Sequence, residues 1–258
     1  MAYVILNGLR TFYESRGEDR PILFIHGSAG NHSMWRHQLD FFGERYRAIA
    51  IDLMGHGKSE IAIPISSITI KLYAEFIARF LEALNIDRIT LIGQSLGGAI
   101  CISFCLLFPE KVQCLGLVNT GAKLGVDPTL LSLMRKDFRD VMNMGFENIL
   151  GQRRKAAEMR NTSWVMSEML KTAPEIGLAD FEACNKFDTR EQLSQIAKPT
   201  KIIGGSEDIL TPPWYQQYLH EKIKSSELKI IEGAGHFSMI EKPEEFNAAI
   251  LEFLERHL

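Results

Sequence analysis

The chain has 258 residues, 46% of them hydrophobic, and a formal net charge of -3 at pH 7. This length fits one large α/β domain or a domain with an insertion, and the hydrophobic fraction can build a sizeable core. The slightly negative charge gives no reason to expect a nucleic-acid partner, and no apolar run is long enough to span a bilayer.

The N-terminus and the cysteines bear on where the protein works. Residues 1–8 lack a basic segment followed by a long apolar core, so no signal peptide is expected. The cysteines form no Cys-x-x-Cys pair, and their positions are Cys101, Cys105, Cys114 and Cys184. Reduced, buried thiols without a metal or disulfide role are expected, and the predicted location is cytoplasmic.

Short apolar strand patterns alternate with amphipathic helix patterns in the first half of the chain. A hairpin is predicted from residues 3–6 and 11–14, and buried strands are predicted over residues 21–25, 46–51, 88–92 and 112–118. Apolar residues at helical spacing predict a helix over residues 67–84. Repeated strand–helix units imply a mostly parallel sheet with helices on both faces.

This alternation stops between Gly121 and Arg190, where helical periodicity continues without a strong strand pattern. It resumes with a strand over residues 200–203, a helix over 213–223, a strand over 228–231 and a last helix from Pro243. The pattern predicts a core of residues 1–121 and 190–258, interrupted by a helical insertion over residues 122–189.

Residues 93–97 read Gly-Gln-Ser-Leu-Gly and match the pattern G-x-S-x-G between a predicted strand and a predicted helix. A serine on such a sharp turn is held clear of the sheet, and the flanking glycines avoid clashes in the turn. The pattern predicts Ser95 as a nucleophile. The backbone N–H of Leu96, at the start of the helix, is predicted as one oxyanion donor. An ordinary glycine-rich turn is the alternative.

A serine nucleophile needs a base, and in parallel sheets reactive groups collect at the carboxyl ends of strands. His236 follows the last predicted strand through a glycine-rich segment. The other histidines lie in a predicted helix, at the C-terminus, or in less suitable loops. His236 is therefore the predicted base, although a lone histidine is more often structural.

Asp208 occupies the matching position after the strand over residues 200–203. A carboxylate there can accept the second imidazole N–H and fix the tautomer of the base. The structural alternatives are an Asx turn or a helix cap, and Glu207 is a neighbouring competitor. Residues 119–121, after an earlier strand, offer no carboxylate, which favours Asp208 as the acid.

Two further loops follow predicted strands. Residues 26–30 read His-Gly-Ser-Ala-Gly, and the N–H of Ser28 is the predicted second oxyanion donor, with Ala29 as the alternative. Residues 52–59 contain two glycines around His56 and are predicted to be a scaffold rather than a source of catalytic groups.

Together these segments resemble the α/β-hydrolase family over essentially the whole chain. The matching residues are the His26-Gly27 loop, residues 52–59, Ser95, Asp208 and His236, and the order Ser, Asp, His is that of the family. The resemblance implies the α/β-hydrolase fold, with a twisted, mostly parallel sheet and an inserted helical cap over the site. It also implies a Ser–His–Asp hydrolase that uses no cofactor or metal.

Ser95 argues against the dehalogenases and epoxide hydrolases of this fold, which place an aspartate at the same turn. The pattern is similar to small carboxylesterases, monoacylglycerol-lipase-like enzymes, enol-lactonases and carbon–carbon bond hydrolases. The resemblance implies cleavage of small or medium acyl esters, or lactones, through an acyl-enzyme. A carbon–carbon bond hydrolase or lyase, and a receptor-like binding protein on this fold, are the alternatives.

The predicted partner is a small carbonyl substrate, and homo-oligomerisation is left open. Pocket contacts are predicted from Trp35, Met134, Met142 and Trp164, although such apolar residues more often only pack cap helices onto a core. The basic run over residues 153–155 is interpreted as a solvated helix face, with attraction of an anionic substrate as the alternative.

Overall fold

The computed structural model describes residues 2–149 and 164–258 and contains an eight-stranded sheet. The strands are β1 (Ala2–Leu6), β2 (Leu9–Arg16), β3 (Pro21–Ile25), β4 (Arg47–Ile51), β5 (Ile89–Gln94), β6 (Val112–Val118), β7 (Thr200–Gly205) and β8 (Ser226–Ile231). Their order is β1-β2-β4-β3-β5-β6-β7-β8. β1 and β2 are antiparallel to their neighbours, and the pairings from β4 to β8 are parallel. The predicted fold class is confirmed.

The helices connect the strands and cover the sheet. They are α1 (Arg36–Phe42), α2 (Ile70–Ala83), α3 (Leu96–Leu107), α4 (Pro128–Lys136), α5 (Phe138–Ile149), α6 (residues 164–169), α7 (Pro174–Lys186), α8 (Pro213–Lys222), α9 (Ser238–Glu241) and α10 (Pro243–His257). Within the described parts of the chain, no helix has the length and apolar character needed to cross a membrane.

The sheet has a separate hydrophobic core on each face, because successive side chains of a strand point to opposite faces. In β3, Leu23 and Ile25 pack with residues of α2 and α3, whereas Ile22 and Phe24 pack with residues of α1 and α10. Parallel strands covered on both faces need a continuous run of apolar residues. This requirement explains why the central strands could be recognised from sequence.

Helices α4 to α7 lie between β6 and β7, where the sequence lacks a strand pattern. The ends of this segment lie side by side: the Thr189 N–H donates to the Ala122 carbonyl oxygen at 2.8 Å. Lys123 and Asp188 form an isolated antiparallel bridge. We call α4 to α7 and their connections the inserted segment. Its division from the core at residues 122 and 189 stays a prediction.

Candidate active site

Ser95 lies between β5 and α3 in a backbone conformation that is rare for a residue with a side chain. Its φ is 53° and its ψ is -114°. A non-glycine residue there costs about 1–3 kcal/mol and persists only where its surroundings hold it. The Ser95 N–H donates to the Val118 carbonyl oxygen at 2.9 Å, and the Thr120 hydroxyl donates to the Ser95 carbonyl oxygen at 2.8 Å. The backbone of the turn is therefore fixed by the end of β6.

The two motif glycines are required by close backbone contacts. A Cβ atom on Gly93 would lie 2.2 Å from the Gly97 carbonyl oxygen, and one on Gly97 would lie 2.2 Å from the Ile25 carbonyl oxygen. Neither contact can be relieved by moving a flexible side chain. The turn thus brings the start of α3 against the end of β3, which carries the loop over residues 26–30.

We expect Gly97→Ala to lower the free energy of unfolding by about 2–3 kcal/mol, because the new methyl group must push backbone atoms apart. Gly125→Ala is the matched control, since a Cβ atom there has no neighbour within 4 Å. Its effect should stay within about 0.5 kcal/mol. Urea unfolding of both variants measures the difference, and equal stabilities would refute the steric argument.

His236 and Asp208 form a buried pair at the carboxyl ends of β8 and β7. The distance between His236 Nδ1 and Asp208 Oδ2 is 2.9 Å. Burial alone would raise the pKa of Asp208, but the charge of His236 and hydrogen bonds from His236 and Thr211 outweigh it and lower the pKa to about 2. An ionised carboxylate only accepts hydrogen bonds, so His236 Nδ1 carries the proton. His236 Nε2 is then the nitrogen that can accept one.

The loop that carries His236 is held by three side chains. Gln94 Nε2 donates to the His236 carbonyl oxygen at 3.0 Å, and Asn119 Nδ2 donates to that of Gly235 at 3.1 Å. Glu241 accepts the N–H groups of Gly235 and Phe237 through its two carboxylate oxygens at 2.5 Å and 3.0 Å. Gln94 is the residue directly before the serine, so β5 positions both Ser95 and the His236 loop.

A cavity of about 220 Å³ lies above the carboxyl ends of the strands. Ser95 and His236 both line it, together with Gly27, Ser28 and Gln94. The rest of its described lining is mainly apolar and comes largely from the inserted segment, with side chains such as Leu130, Met134, Met142, Met169 and Phe181. The Ser95 hydroxyl and the His236 imidazole therefore line the same mainly apolar cavity.

Two backbone N–H groups donate to no protein acceptor within the described residues. They are that of Ser28, which lines the cavity, and that of Leu96, which directly follows Ser95 in the chain. The alternative donor, the Ala29 N–H, instead donates to Asp180 Oδ2 at 2.9 Å. The geometry favours Ser28 over Ala29, and the Leu96 N–H lies at the N-terminus of α3, where the helix dipole favours negative charge.

Comparison with known proteins identifies the family of the chain. A family model described as the alpha/beta hydrolase fold matches residues 20–243. The chain belongs to the α/β-hydrolase fold family. A 3-oxoadipate enol-lactonase 2 of Acinetobacter baylyi is 30% identical over 254 residues, which cover 92% of this chain and 90% of the relative. The family and this relative assign the protein to the hydrolases, as an enzyme.

Two other similar proteins are named for different reactions. A thermophilic esterase of known structure is 30% identical, with a TM-score of 0.85 and coverage of 99% of this chain and 97% of its own. A 2-hydroxy-6-oxo-6-(2'-aminophenyl)hexa-2,4-dienoic acid hydrolase of Metapseudomonas resinovorans is 26% identical over 273 residues, which cover 97% of this chain and 90% of that protein. Both similarities extend over nearly the full length of this α/β-hydrolase.

Only two of the four predicted pocket residues of the hydrolase are among the described residues that line the cavity. Met134 and Met142 line the cavity, but its described lining includes neither Trp35 nor Trp164. Trp35 ends a 3₁₀ turn that directs its ring into the core between Phe24 and Phe246, at centroid distances of 5.0 Å and 6.2 Å.

Trp164 is the first described residue of α6, and its ring faces a side chain of the core helix α1. The Arg36 guanidinium is 4.0 Å from its centroid. The contact joins the inserted segment to α1 and does not place the ring at the cavity. The predictions for both tryptophans are corrected accordingly, and the basic run over residues 153–155 lies outside the described residues.

The loop over residues 52–59 is built around the buried side chain of Asp52. Its Oδ1 accepts the backbone N–H and the ring Nδ1 of His32, both at 2.7 Å. Its Oδ2 accepts the Lys58 N–H at 2.9 Å, and a Cβ on Gly57 would lie 2.2 Å from that oxygen. These bonds agree with the scaffold role predicted for this segment of the hydrolase.

His26 is a structural histidine that must stay neutral. Its Nδ1 donates to the Gly27 carbonyl oxygen at 2.8 Å, and its Nε2 accepts the Leu53 N–H at 3.1 Å. Burial lowers the pKa of His26 to about 4, and the nearby positive charge of His56 adds to this effect. Protonation would break the bond from Leu53 and place a charge in the interior.

This geometry predicts a pH-dependent stability. Because the folded pKa lies below the ordinary 6.5, the contribution of His26 is present above pH 6.5 and is lost as the pH falls toward 4. The difference corresponds to about 3 kcal/mol. Denaturant unfolding across this range should show that His26→Gln removes this part of the slope, whereas His220→Gln, at an exposed helix position, keeps it. An unchanged slope in His26→Gln would contradict the assignment.

Among residues 2–149 and 164–258, no three His, Cys, Asp or Glu side chains are grouped so that they could hold a metal ion. The groups that line the cavity include a serine hydroxyl, an imidazole and the Ser28 N–H. Sequence analysis missed the supporting residues Gln94, Asn119, Thr211 and Glu241. Only the positions of Gln94, beside the serine, and Asn119, directly after a strand, could have suggested them.

Proposed function

We propose that the protein is a serine hydrolase that cleaves neutral carboxylic esters of small or medium acyl chains through an acyl-enzyme. Ser95 is the nucleophile, His236 the general base and acid, and Asp208 the carboxylate that orients His236. The N–H groups of Ser28 and Leu96 form the oxyanion hole. The observation that carries this proposal is the buried His236–Asp208 pair at the cavity that Ser95 also lines.

The reaction proceeds in two steps. His236 Nε2 takes the proton of the Ser95 hydroxyl as Ser95 Oγ attacks the ester carbonyl carbon, and the carbonyl oxygen becomes an oxyanion held by two backbone N–H groups. The carbon–oxygen bond to the alcohol then breaks, and His236 gives its proton to the leaving alcohol. A water molecule, deprotonated by His236, attacks the acyl-enzyme and releases the acid and the free serine.

The described lining of the cavity supports the proposed substrate class. It contains no Lys, Arg, Asp or Glu side chain, and its apolar side chains are those of methionine, leucine, valine and phenylalanine. Burying a substrate carboxylate in such surroundings would leave its charge unpaired, which is costly. The cavity volume of about 220 Å³ limits the size of the bound group. A neutral chain of small or medium length fits these limits.

Helices α4 to α7 form the cap in this proposal. They supply most of the apolar wall, while the core supplies the groups that react. Acyl-chain preference therefore depends on the cap, and the chemistry depends on the ends of the strands.

A panel of p-nitrophenyl esters tests the proposal. The acyl group runs from acetyl through butyryl, hexanoyl and octanoyl to palmitoyl, and an ester of succinic acid with one free carboxylate is added. We expect kcat/KM to peak between butyryl and octanoyl. The charged ester should fall at least about 100-fold below its neutral counterpart, equivalent to ~2.7 kcal/mol. Failure to hydrolyse any ester would refute the proposal, and a preference for the charged ester would refute the substrate class.

Carbon–carbon bond hydrolysis is the second candidate because of the relative from Metapseudomonas resinovorans. That relative is named for a dienoic acid, whose carboxylate would have no cationic partner in the described lining here. A vinylogous diketone in the same panel separates the two reactions. Turnover of the diketone above that of every ester would establish this candidate instead.

A further inference from the structure

The peptide groups of the loop over residues 26–30 are linked by hydrogen bonds to the inserted segment. Ala29 has a φ of 56°, in the left-handed region that a non-glycine residue adopts only when its surroundings hold it. Its N–H donates to Asp180 Oδ2 on α7, and its carbonyl oxygen accepts the Thr172 hydroxyl, both at 2.9 Å. The inserted segment therefore makes hydrogen bonds to both the N–H and the carbonyl oxygen of Ala29.

From Thr172 the bonds continue to the proposed oxyanion donor. The peptide group that follows Ala29 carries the Gly30 N–H, which donates to the Gly27 carbonyl oxygen at 3.0 Å. The same oxygen accepts His26 Nδ1 at 2.8 Å. In a trans peptide, carbonyl and N–H point in opposite directions, so fixing the Gly27 carbonyl fixes the direction of the Ser28 N–H. Each bond in such a chain also polarises the next.

Asp180 is itself held rigidly. Its side chain is fully buried, its Oδ1 accepts the Tyr73 hydroxyl at 2.7 Å, and its Oδ2 also accepts His56 Nε2 at 2.8 Å. Burial would lower the pKa of His56, but the Asp180 charge and hydrogen bond outweigh it and raise it. The His56 Nδ1 donates to the Met54 carbonyl oxygen at 3.1 Å, so both ring nitrogens are occupied. The bonds from His56 and Tyr73 to Asp180 therefore join the core to the inserted segment next to the loop over residues 26–30.

We propose that Thr172 and Asp180 of the inserted segment are positioning residues that hold the Ser28 N–H in the oxyanion hole. The inference rests on the proposed serine-hydrolase function. It gives the inserted segment a part in the chemistry of the site as well as in substrate preference. Neither side chain touches the substrate: both act on the transition state through the peptide groups of Ala29 and its neighbours.

Thr172→Val tests this role because it removes the hydroxyl and keeps the shape of the side chain. We expect kcat for the best ester to fall about tenfold with little change in KM, since the oxyanion exists only in the transition state. Thr172→Ser, which restores the hydroxyl, should recover most of the lost kcat. If Thr172→Val does not fold, Thr172→Ala makes the same comparison.

Thr189→Val is the matched control. Thr189 is also a buried threonine whose hydroxyl donates to a backbone carbonyl oxygen, that of Ala122 at 3.1 Å, but it lies away from the loop over residues 26–30. Both valine variants should lower the unfolding midpoint by similar amounts, and only Thr172→Val should lower kcat. Equal kcat losses in both, a wild-type kcat in Thr172→Val, or no recovery in Thr172→Ser would overturn the proposal.

Asp180→Ala and Tyr73→Phe form a second pair. Alanine removes the oxygen that accepts the Ala29 N–H, so Asp180→Ala should lower kcat, whereas Tyr73→Phe removes only the donor to the other carboxylate oxygen and should keep it. Equal kcat losses would reduce Asp180 to a packing role and overturn its part of the proposal. Failure of the proposed function itself is a separate result, because the wild-type protein would then hydrolyse no ester.

Discussion

Ser95→Ala should lower kcat for the best ester by about 10⁶-fold, because no other group can form the acyl-enzyme. The fold should be unaffected, since alanine keeps the Cβ atom and the backbone bonds to Val118 and Thr120 do not involve the serine side chain. Steady-state kinetics with a sensitive ester measures the loss. The unfolding midpoint of the same sample verifies the fold.

Ser67→Ala is the control for this substitution. Ser67 is exposed, and its hydroxyl donates only to the Pro64 carbonyl oxygen at 2.6 Å in a short turn. It should have the kcat and KM of the wild-type protein. Full activity in Ser95→Ala would mean that the chemistry at this cavity does not use the serine, and the mechanism would have to be abandoned.

Asp208→Asn should lower kcat by about 10⁴-fold, because the carboxylate is surrounded only by donors. Its Oδ1 accepts the N–H groups of Leu210 and Thr211, each at 2.9 Å. Its Oδ2 accepts the Thr211 hydroxyl at 2.7 Å, Asn119 Nδ2 at 2.8 Å and His236 Nδ1 at 2.9 Å. An amide NH₂ in this place faces other donors and favours the His236 tautomer with its proton on Nε2, which cannot act as a base.

Glu207→Gln is the matched control for Asp208→Asn. Glu207 is the adjacent carboxylate, but its side chain is exposed, so the same change from acid to amide should leave kcat unchanged. Kinetics on the two variants therefore decides which carboxylate serves the histidine. A large loss in Glu207→Gln together with normal activity in Asp208→Asn would reverse the assignment.

Features that depend on local sequence could be predicted well. The central strands were recognisable because a sheet covered on both faces needs unbroken apolar runs, and the turn at Ser95 because its glycines avoid specific backbone clashes. Asp208 and His236 were suggested by their positions after strands, where parallel sheets gather reactive groups. Their catalytic roles remain predictions until the substitutions above are made.

Features that depend on distant contacts could not be predicted. The bond between Ala29 and Asp180 joins residues 151 positions apart, and the bond between Ala29 and Thr172 joins residues 143 apart. No local pattern marks Thr172 or Asp180, so the choice between Ser28 and Ala29 as donor had to stay open. Trp35 shows the opposite error: it was predicted as a pocket contact, whereas the 3₁₀ turn buries its ring in the core.

The most direct test of the account is the site at which an activated fluorophosphonate reacts. We predict one phosphonyl group per wild-type molecule, located by peptide mass spectrometry on Ser95, with loss of ester hydrolysis in parallel and no adduct in Ser95→Ala. A wild-type protein that hydrolyses esters but carries its adduct on another residue, or that forms no adduct at all, would contradict the assignment of Ser95 as the nucleophile.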